Sequence, residues 1–593
     1  MSVGLAWLLA AAALAAGVAE TCPAPDPRNI RNGTVIPDEG YCDQPYVVVT
    51  ADGNWLCTLT TGRGEEGHRG QHVVATISTD RGRTWSPLID IEPADGPEAS
   101  WAMPLVVPGG RVYVFYDYNG DRIDYVGDRR NVRADMLGWY VYRYSDDHGR
   151  SWSAGRYRLP VRQTGIDRRN DYGGQVQMFW GIGKPIIAGR SVLLGFSKIG
   201  KYLIDESEGW FFRSDNLLAE PDPDRHEWQM LPEGDVGLRA PGGPIAEEHN
   251  LVELSDGSLY TVYRTVDGHP CEAYSRDGGR SWTPPAYAAY RPGGKLIRHP
   301  RACPRVWKTS GGRYLLWYHN HGGRDFNDRN PAWIAGGLEK DGRIHWSQPE
   351  ILLYDDDPAV RISYPDLVEQ DGRFWITETQ KSVARVHQID PSLLEGLWNQ
   401  GRDRAPTRKG LVLEEKGVGM SLGAAENHPD TFSVAAPALP DLAEGGGFTV
   451  ELWLELADLR AGQRLLDTAD EAGKGVVLET AESGTIRIVL SDGRTRWAWG
   501  TDPGVIRAGR PHHLAAVVDG GPKIITFIVD GVLCDGGEVR QYGWGRFPRD
   551  IGDLNTGRPL RIGRAPGGGI LSLRIYDRAL RTSEVLAGFH GGP

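Results

Sequence analysis

An all-β protein, a six-bladed β-propeller followed by a β-sandwich, is what the sequence predicts, and three observations predict it. A hairpin pattern of two alternating apolar runs around a Gly turn recurs six times before residue 400. A compact turn of the form S-x-D-x-G-x-S/T-W recurs on the same beat. Composition agrees, because 78 Gly, 20 Trp and 23 Tyr in 593 residues, with little helical periodicity, mark a turn-rich β chain.

The length suits two or three domains. With 40% hydrophobic and 24% charged residues the chain is globular and can bury a sizeable core. A net charge of −12 without a Lys/Arg cluster argues against nucleic acid as a partner, since a phosphate-binding face needs concentrated positive charge.

Residues 1–19 read as a signal peptide. Leu5 to Ala16 is apolar and uncharged, and Gly17-Val18-Ala19 is a small-x-small cleavage site. The run is short for a span of roughly 20 residues, so stable membrane insertion is not expected. The mature chain is then expected to be secreted or periplasmic, where disulfides can form. The six cysteines (Cys22, Cys42, Cys57, Cys271, Cys303, Cys534) show no metal-ligand spacing. Cys22 could pair with Cys42 or Cys57, and buried free thiols are the alternative.

Residues 20–400 hold the repeat. Its hairpins open at Gln44, Met103, Lys184, His249, Cys303 and Tyr364. Their spacing, around ~60 residues, fits propeller blades of ~40–50 residues with insertions. The small turn is clear at Ser78–Trp85, Ser145–Trp152 and Ser275–Trp282, and broken at Ser214-Asp215 and at Asp341-Gly342 before Trp346. Asp and Gly close such a turn while Trp fills a neighbouring gap, so it belongs between outer strands and carries no chemistry. The sixth hairpin has no turn after it, and the segment Asn29–Ile36 is expected to supply its missing strand and close the ring. In a closed ring the residues before the inner strands converge on one face: Gln44, Met103, Lys184, Glu248, Cys303 and Tyr364.

Residues 401–419, with Arg402, Arg404, Pro406, Arg408 and Lys409, read as a linker. Residues 420–593 form a second all-β unit, with strands in FTVELWLEL from Phe448, HHLAAVVDGG from His512, FIVDG from Phe527, LRIG from Leu560 and LSLRIYDRALRTSEV from Leu571. Their spacing and the Ile575–Leu580 segment resemble the laminin-G-like, concanavalin A-type jelly roll. His512 and His513 read as members of its strand pattern. No cofactor is expected, and a structural Ca²⁺ ion in this domain is left open.

The stretch EEHNLVELSDGSLYTVYRT from Glu247, followed by SRDGGRSW, resembles the fourth blade of the exo-α-sialidases, glycoside hydrolase family 33. Those enzymes are six-bladed propellers with the same turns. The resemblance implies that Glu248 is the base partner of the nucleophile and that Arg264 is one of three arginines clamping the substrate carboxylate. It further implies a clamp role for Arg329 in DRNPAWIAGG, a nucleophile in Tyr364 of SYPDLVEQDG, and a Glu378 that orients an arginine.

Two places depart from the family pattern. The first arginine lies in an R-I-P motif, and here that place reads Tyr41-Cys42-Asp43-Gln44-Pro45. The family's catalytic Asp is replaced by the RGEEGHRGQH loop, which offers Arg63, Glu65, Glu66, His68 and His72, with Glu66 closest in register as the acid/base. Asp43, Gln44, Arg63, His68 and Lys184 are candidate substrate-binding residues. Arg301, His299, His319 and His321 lie near other blade mouths and read as structural.

These residue types suit the implied chemistry. Sialic acids carry a carboxylate on the anomeric carbon, which repels a carboxylate nucleophile but not a neutral phenol. A phenol with an ordinary pKa of about 10 needs an adjacent base, and planar guanidinium forks bind carboxylates bidentately. The implied protein is a secreted retaining exo-glycosidase acting on sialic acid or a related acidic sugar of glycans. Two alternatives remain open: a propeller polysaccharide lyase or uronic-sugar glycosidase, suggested by the absent arginine and the Glu/His-rich loop, and a non-catalytic glycan-binding protein.

Overall fold

The computed structural model describes residues 25–127, 133–201, 206–417, 431–563 and 568–593; the segment read as a signal peptide, and Cys22, lie outside them. Alternating apolar and polar positions turn each repeat into an antiparallel sheet that packs on both faces. Blade 1 is Tyr41–Val49, Trp55–Gly62, His72–Ser78 and Ile89–Asp90, and blade 2 is Ala99–Val106, Val112–Tyr118, Trp139–Ser145 and Tyr157–Arg158. Blade 3 is built on Ser191–Lys201 and Glu206–Ser214, flanked by Phe179–Trp180, Ile186–Ala188 and Gln229–Leu231. Blade 4 is Glu247–Glu253, Leu259–Arg264, Cys271–Ser275 and Ala286–Tyr287. Blade 5 is Arg305–Lys308, Tyr314–Tyr318, Ala332–Lys340 and Arg343–Trp346, with Glu350–Leu353 also paired to the third strand.

Blade 6 closes the ring. Ser363–Gln370, Arg373–Thr379 and Ala384–Gln388 are completed by the N-terminal strand Thr34–Ile36, with Thr34 opposite Val386 and Ile36 opposite Ala384. At this seam Trp55 of blade 1 meets Trp375 of blade 6 edge-on at 5.1 Å.

The small turns join third to fourth strands. In each clear copy the leading Ser hydroxyl donates to the Asp, and the Asp accepts from the backbone N–H four residues on, at 2.8 Å from Thr84, Ser151 and Ser281. Trp282 then stacks on Phe211 of the preceding blade at 4.6 Å.

One backbone device recurs on the inner strands. Pairing slips by a residue between Asp43 and Tyr46, Ser100 and Met103, Glu247 and Asn250, and Ser363 and Asp366. Each slip is a bulge holding a non-glycine residue in the left-handed region: Gln44 (φ 47°), Trp101 (64°), Glu248 (60°) and Tyr364 (45°). Such a conformation costs on the order of 1–3 kcal/mol and persists only where surrounding structure enforces it. Blade 2 therefore presents Trp101 rather than the expected Met103, which is fully buried in the core.

Beneath these bulges the axis is filled by polar contacts. Asp366 accepts from Lys184 Nζ at 2.7 Å and from Val47 N at 2.8 Å, while Arg305 donates to Ile182 O at 2.9 Å and Asn250 Oδ1 at 2.6 Å.

The second unit is a sandwich of a seven-stranded and a six-stranded antiparallel sheet around Leu452, Leu478, Ile488, Leu514, Phe527 and Leu573. Its first strand, Leu411–Lys416, falls inside the stretch read as linker and pairs with Gly569–Tyr576. An edge strand this short buries little, and its Glu-rich half masked the pattern. His512 and His513 sit in the strand Pro511–Asp519, bonded to Asp530 and Glu451.

The two units are docked. Glu350 accepts from the backbone N–H groups of Thr582 and Ser583, both at 2.9 Å, at the start of the helix Thr582–Gly591. Arg28 pairs with Asp519 at 2.6 Å, and Trp544 and Arg546 donate to the carbonyls of Asn320 and Asn330. The five described cysteines are buried free thiols. Among the described residues no helix is long and apolar enough to cross a membrane.

Candidate active site

Two of the four bulges meet. Tyr364 donates its hydroxyl to Glu248 Oε1 at 3.0 Å, in the wall of a cavity of about 290 Å³. Both side chains are buried, and Glu248 Oε2 has no partner among the described residues. Burial and then the Glu248 charge push the Tyr364 phenol up, while Lys381, Arg264 and Arg329 oppose them. A phenol held high is a weak nucleophile until its proton has somewhere to go, and Glu248 is placed to take it.

Arg264 closes the second strand of blade 4. It reaches Glu248 at 2.8 Å and is gripped from behind by Glu247 through Nε and Nη2. Arg329, three residues before the third strand of blade 5, is held by Ser363 Oγ and the Arg301 carbonyl, both at 2.9 Å, and its Nε has no hydrogen-bond partner. Arg301 itself lines the cavity, with its guanidinium pushed down to about 10 by burial and by Arg264. Arg361 stands at the rim, its guanidinium 5.5 Å from the exposed Phe326 ring. These guanidiniums form a cationic wall suited to a carboxylate.

Across Tyr364 the charges are arranged differently. Lys381 lies 4.4 Å from the Tyr364 ring, bonds Asp43 Oδ2, and reaches Glu66 Oε2 at 3.2 Å. Burial works against its charge, but Asp43, Glu66 and Tyr364 outweigh it and hold the ammonium above the ordinary lysine range. Asp43 is fully buried, accepts from Tyr41 at 3.0 Å, and has its carboxyl raised, first by burial. Glu66 also reaches Arg133 at 3.3 Å. Partial burial, at 37% side-chain exposure, raises its carboxyl, yet Lys381 and Arg133 together hold it below the usual carboxylate range. Trp101, Trp180 and Ile182 supply an apolar wall.

Of the residues expected from sequence, Tyr364, Glu248, Arg264, Arg329 and Glu66 line one cavity, with Asp43 directly behind it. Others do not line it. Lys184 is spent on Asp366 and Val47 in the axial network. Glu378 bonds Gln380 and His387 rather than a cavity arginine, and Arg264 is oriented by Glu247 instead. Arg63 is exposed, and exposed His68 accepts from Glu65 N at 3.1 Å, shaping its own loop. Gln44 shares the bulge geometry of Tyr364 but is fully buried, with neither amide atom partnered.

Sequence reasoning missed Lys381, Arg361 and Arg133, and read Arg301 as structural. Lys381 and Arg361 do flank the Tyr364 hairpin, and Lys381 follows the second strand of its blade much as Arg264 ends that of blade 4, which was the available signal.

Residues 430–586 match the concanavalin A-like lectin/glucanases superfamily. An anhydrosialidase of Macrobdella decora is 28% identical over 195 residues, covering 28% of this chain and 21% of that protein, so the match spans about a fifth of the curated relative. A Trypanosoma rangeli sialidase solved with 2,3-difluorosialic acid aligns over 95% of this chain and 96% of its own, at 13% identity and a TM-score of 0.45. The NanB sialidase of Streptococcus pneumoniae aligns over 63% and 72%, at 14% identity and a TM-score of 0.44. The six blades seen in the structure are thus followed by a domain that matches the concanavalin A-like superfamily.

Proposed function

We propose that this protein is a secreted retaining exo-glycosidase that removes a terminal sugar bearing a carboxylate on its anomeric carbon, sialic acid or a related acidic sugar, from glycans. The observation that carries this reading is the 3.0 Å hydrogen bond from Tyr364 to Glu248 beside an arginine wall. The likeness to an anhydrosialidase supports the same sugar class.

Arg264, Arg329 and Arg301 hold the carboxylate, which places the anomeric carbon against Tyr364. The Tyr364 oxygen bonds to that carbon as Glu248 takes the phenolic proton, and the glycosidic bond breaks with a proton passing from Glu66 to the leaving oxygen. Water then attacks the same carbon, Glu66 takes a proton from it, and the tyrosyl oxygen leaves with the proton returned by Glu248. In the ligand-free site Glu66 is ionised. An anion drawing on the charge of Lys381 and Arg133 lets its carboxyl accept the proton it must deliver.

The test is fluorophore release from aryl glycosides of sialic, deaminated ulosonic and uronic acids. Tyr364→Phe should lower turnover by about 10³-fold or more with the fold intact, and full activity in that variant would sink the assignment. Asp43 in place of an arginine favours a second reading, a uronic-sugar glycosidase or lyase. A rise in absorbance from unsaturated uronate products would identify the lyase.

A further inference from the structure

The place where the family resemblance calls for a cation holds Asp43, yet the cavity is not short of positive charge on that side. Lys381, from the turn after the second strand of blade 6, stands there on Asp43. An ammonium has three N–H donors. One goes to Asp43 and a second faces Glu66 at 3.2 Å. The third has no protein acceptor among the described residues, and the side chain, 17% exposed, lines the cavity.

We propose that Lys381 is a substrate-binding cation, seated on Asp43 and donating its third N–H to the anionic group of the sugar. The proposal rests on the acidic-sugar reading above and adds the residue that reads the charge. Three cations bear on Tyr364, namely Lys381, Arg264 and Arg329. All three line the cavity, with Lys381 4.4 Å from the Tyr364 ring.

Asp43 makes sense only with Lys381. A fully buried carboxylate behind an anion-binding cavity would repel the ligand and carry a large desolvation cost, and a charge pair removes both objections. The reverse also holds, because without Lys381 the cavity would present Asp43 and Glu66 to an incoming anion. The choice of lysine has a consequence. A guanidinium imposes a planar two-point contact, whereas an ammonium is a compact charge that adapts to the direction of the anion.

The experiment uses the full chain and calorimetric binding of the 2,3-didehydro analogue of N-acetylneuraminic acid and of its methyl ester. Wild type should prefer the acid. Lys381→Met should weaken acid binding by about 100-fold, the scale of losing one partner of a buried charge contact, while ester binding stays within about threefold. Asp43→Asn, which keeps the ammonium but loosens its seat, should weaken the acid by about tenfold. If Lys381→Met does not fold, Lys381→Gln gives the same readout with the hydrogen bonds kept. Unchanged acid binding in the lysine variants, or equal loss of acid and ester, overturns the role of Lys381 and leaves the acidic-sugar reading standing. A wild type that binds neither compound, or both alike, overturns that reading and the proposal together.

Discussion

The two sides of the cavity hold their charges in opposite ways. Toward blades 4 and 5 the cations face the cavity and their supports lie behind: Glu247 grips Arg264, and Ser363 and a carbonyl grip Arg329. Toward blades 1 and 6 two carboxylates, Asp43 and Glu66, flank a single cation, Lys381. The first side presents cations backed by partners outside the cavity, and the second sets its cation among carboxylates. Both are delivered by the same left-handed bulge, which carries Glu248 and Tyr364 where chemistry is placed and Gln44 where it is not. The repeat fixes where side chains go, and single residues decide what they do there.

That contrast can be broken from its strong side. Arg264→Ala leaves Glu247 and Glu248 buried without their cation, so a loss of about 3–5 kcal/mol of stability should accompany the loss of activity; chemical denaturation measures it, and an unchanged midpoint would mean that the pair is not coupled. The matching change across the cavity is milder. Arg133→Met removes one of the two cations that hold Glu66 low, so the carboxyl should rise toward its ordinary value of about 4.3. A general acid works only while protonated, so the alkaline limb of the kcat/KM profile should move to higher pH. A limb that stays put would exclude Glu66 as the acid. The smallest effect is expected at the silent bulge. Gln44→Gly relieves a left-handed φ and removes a buried amide with no partner, so stability should hold or rise by about 1 kcal/mol.

Much of this molecule was legible in its sequence, because hairpins, Gly turns and the Ser-x-Asp turn are local patterns. Six hairpins without a sixth turn were enough to assign the segment Asn29–Ile36, which holds the strand Thr34–Ile36, to the last blade. The repeat put Tyr364 and Glu248, 116 residues apart, on one face, and only the family resemblance joined them as nucleophile and base. Lys381 escaped because its role depends on Asp43, 338 residues away, and on a turn that carries no motif. Glu378 was assigned through the resemblance alone, and it bonds Gln380 and His387 instead of an arginine. The strand Leu411–Lys416 was lost to its glutamates, since a short edge strand needs few apolar residues to hold its place.

The strand Thr34–Ile36 has a consequence for how the chain is made. It pairs with Val386 and Ala384, roughly 350 residues later. At synthesis rates of about 5–20 residues per second, that separation corresponds to roughly 18–70 s. For that interval the first segment of the propeller to emerge has no partner, and the flank of blade 1 that later meets Trp375 stays open. The ring therefore behaves as a clasp whose two ends belong to opposite moments of translation. A nascent chain halted before Val386 should be protease-sensitive at residues 34–36 even when its earlier blades have formed.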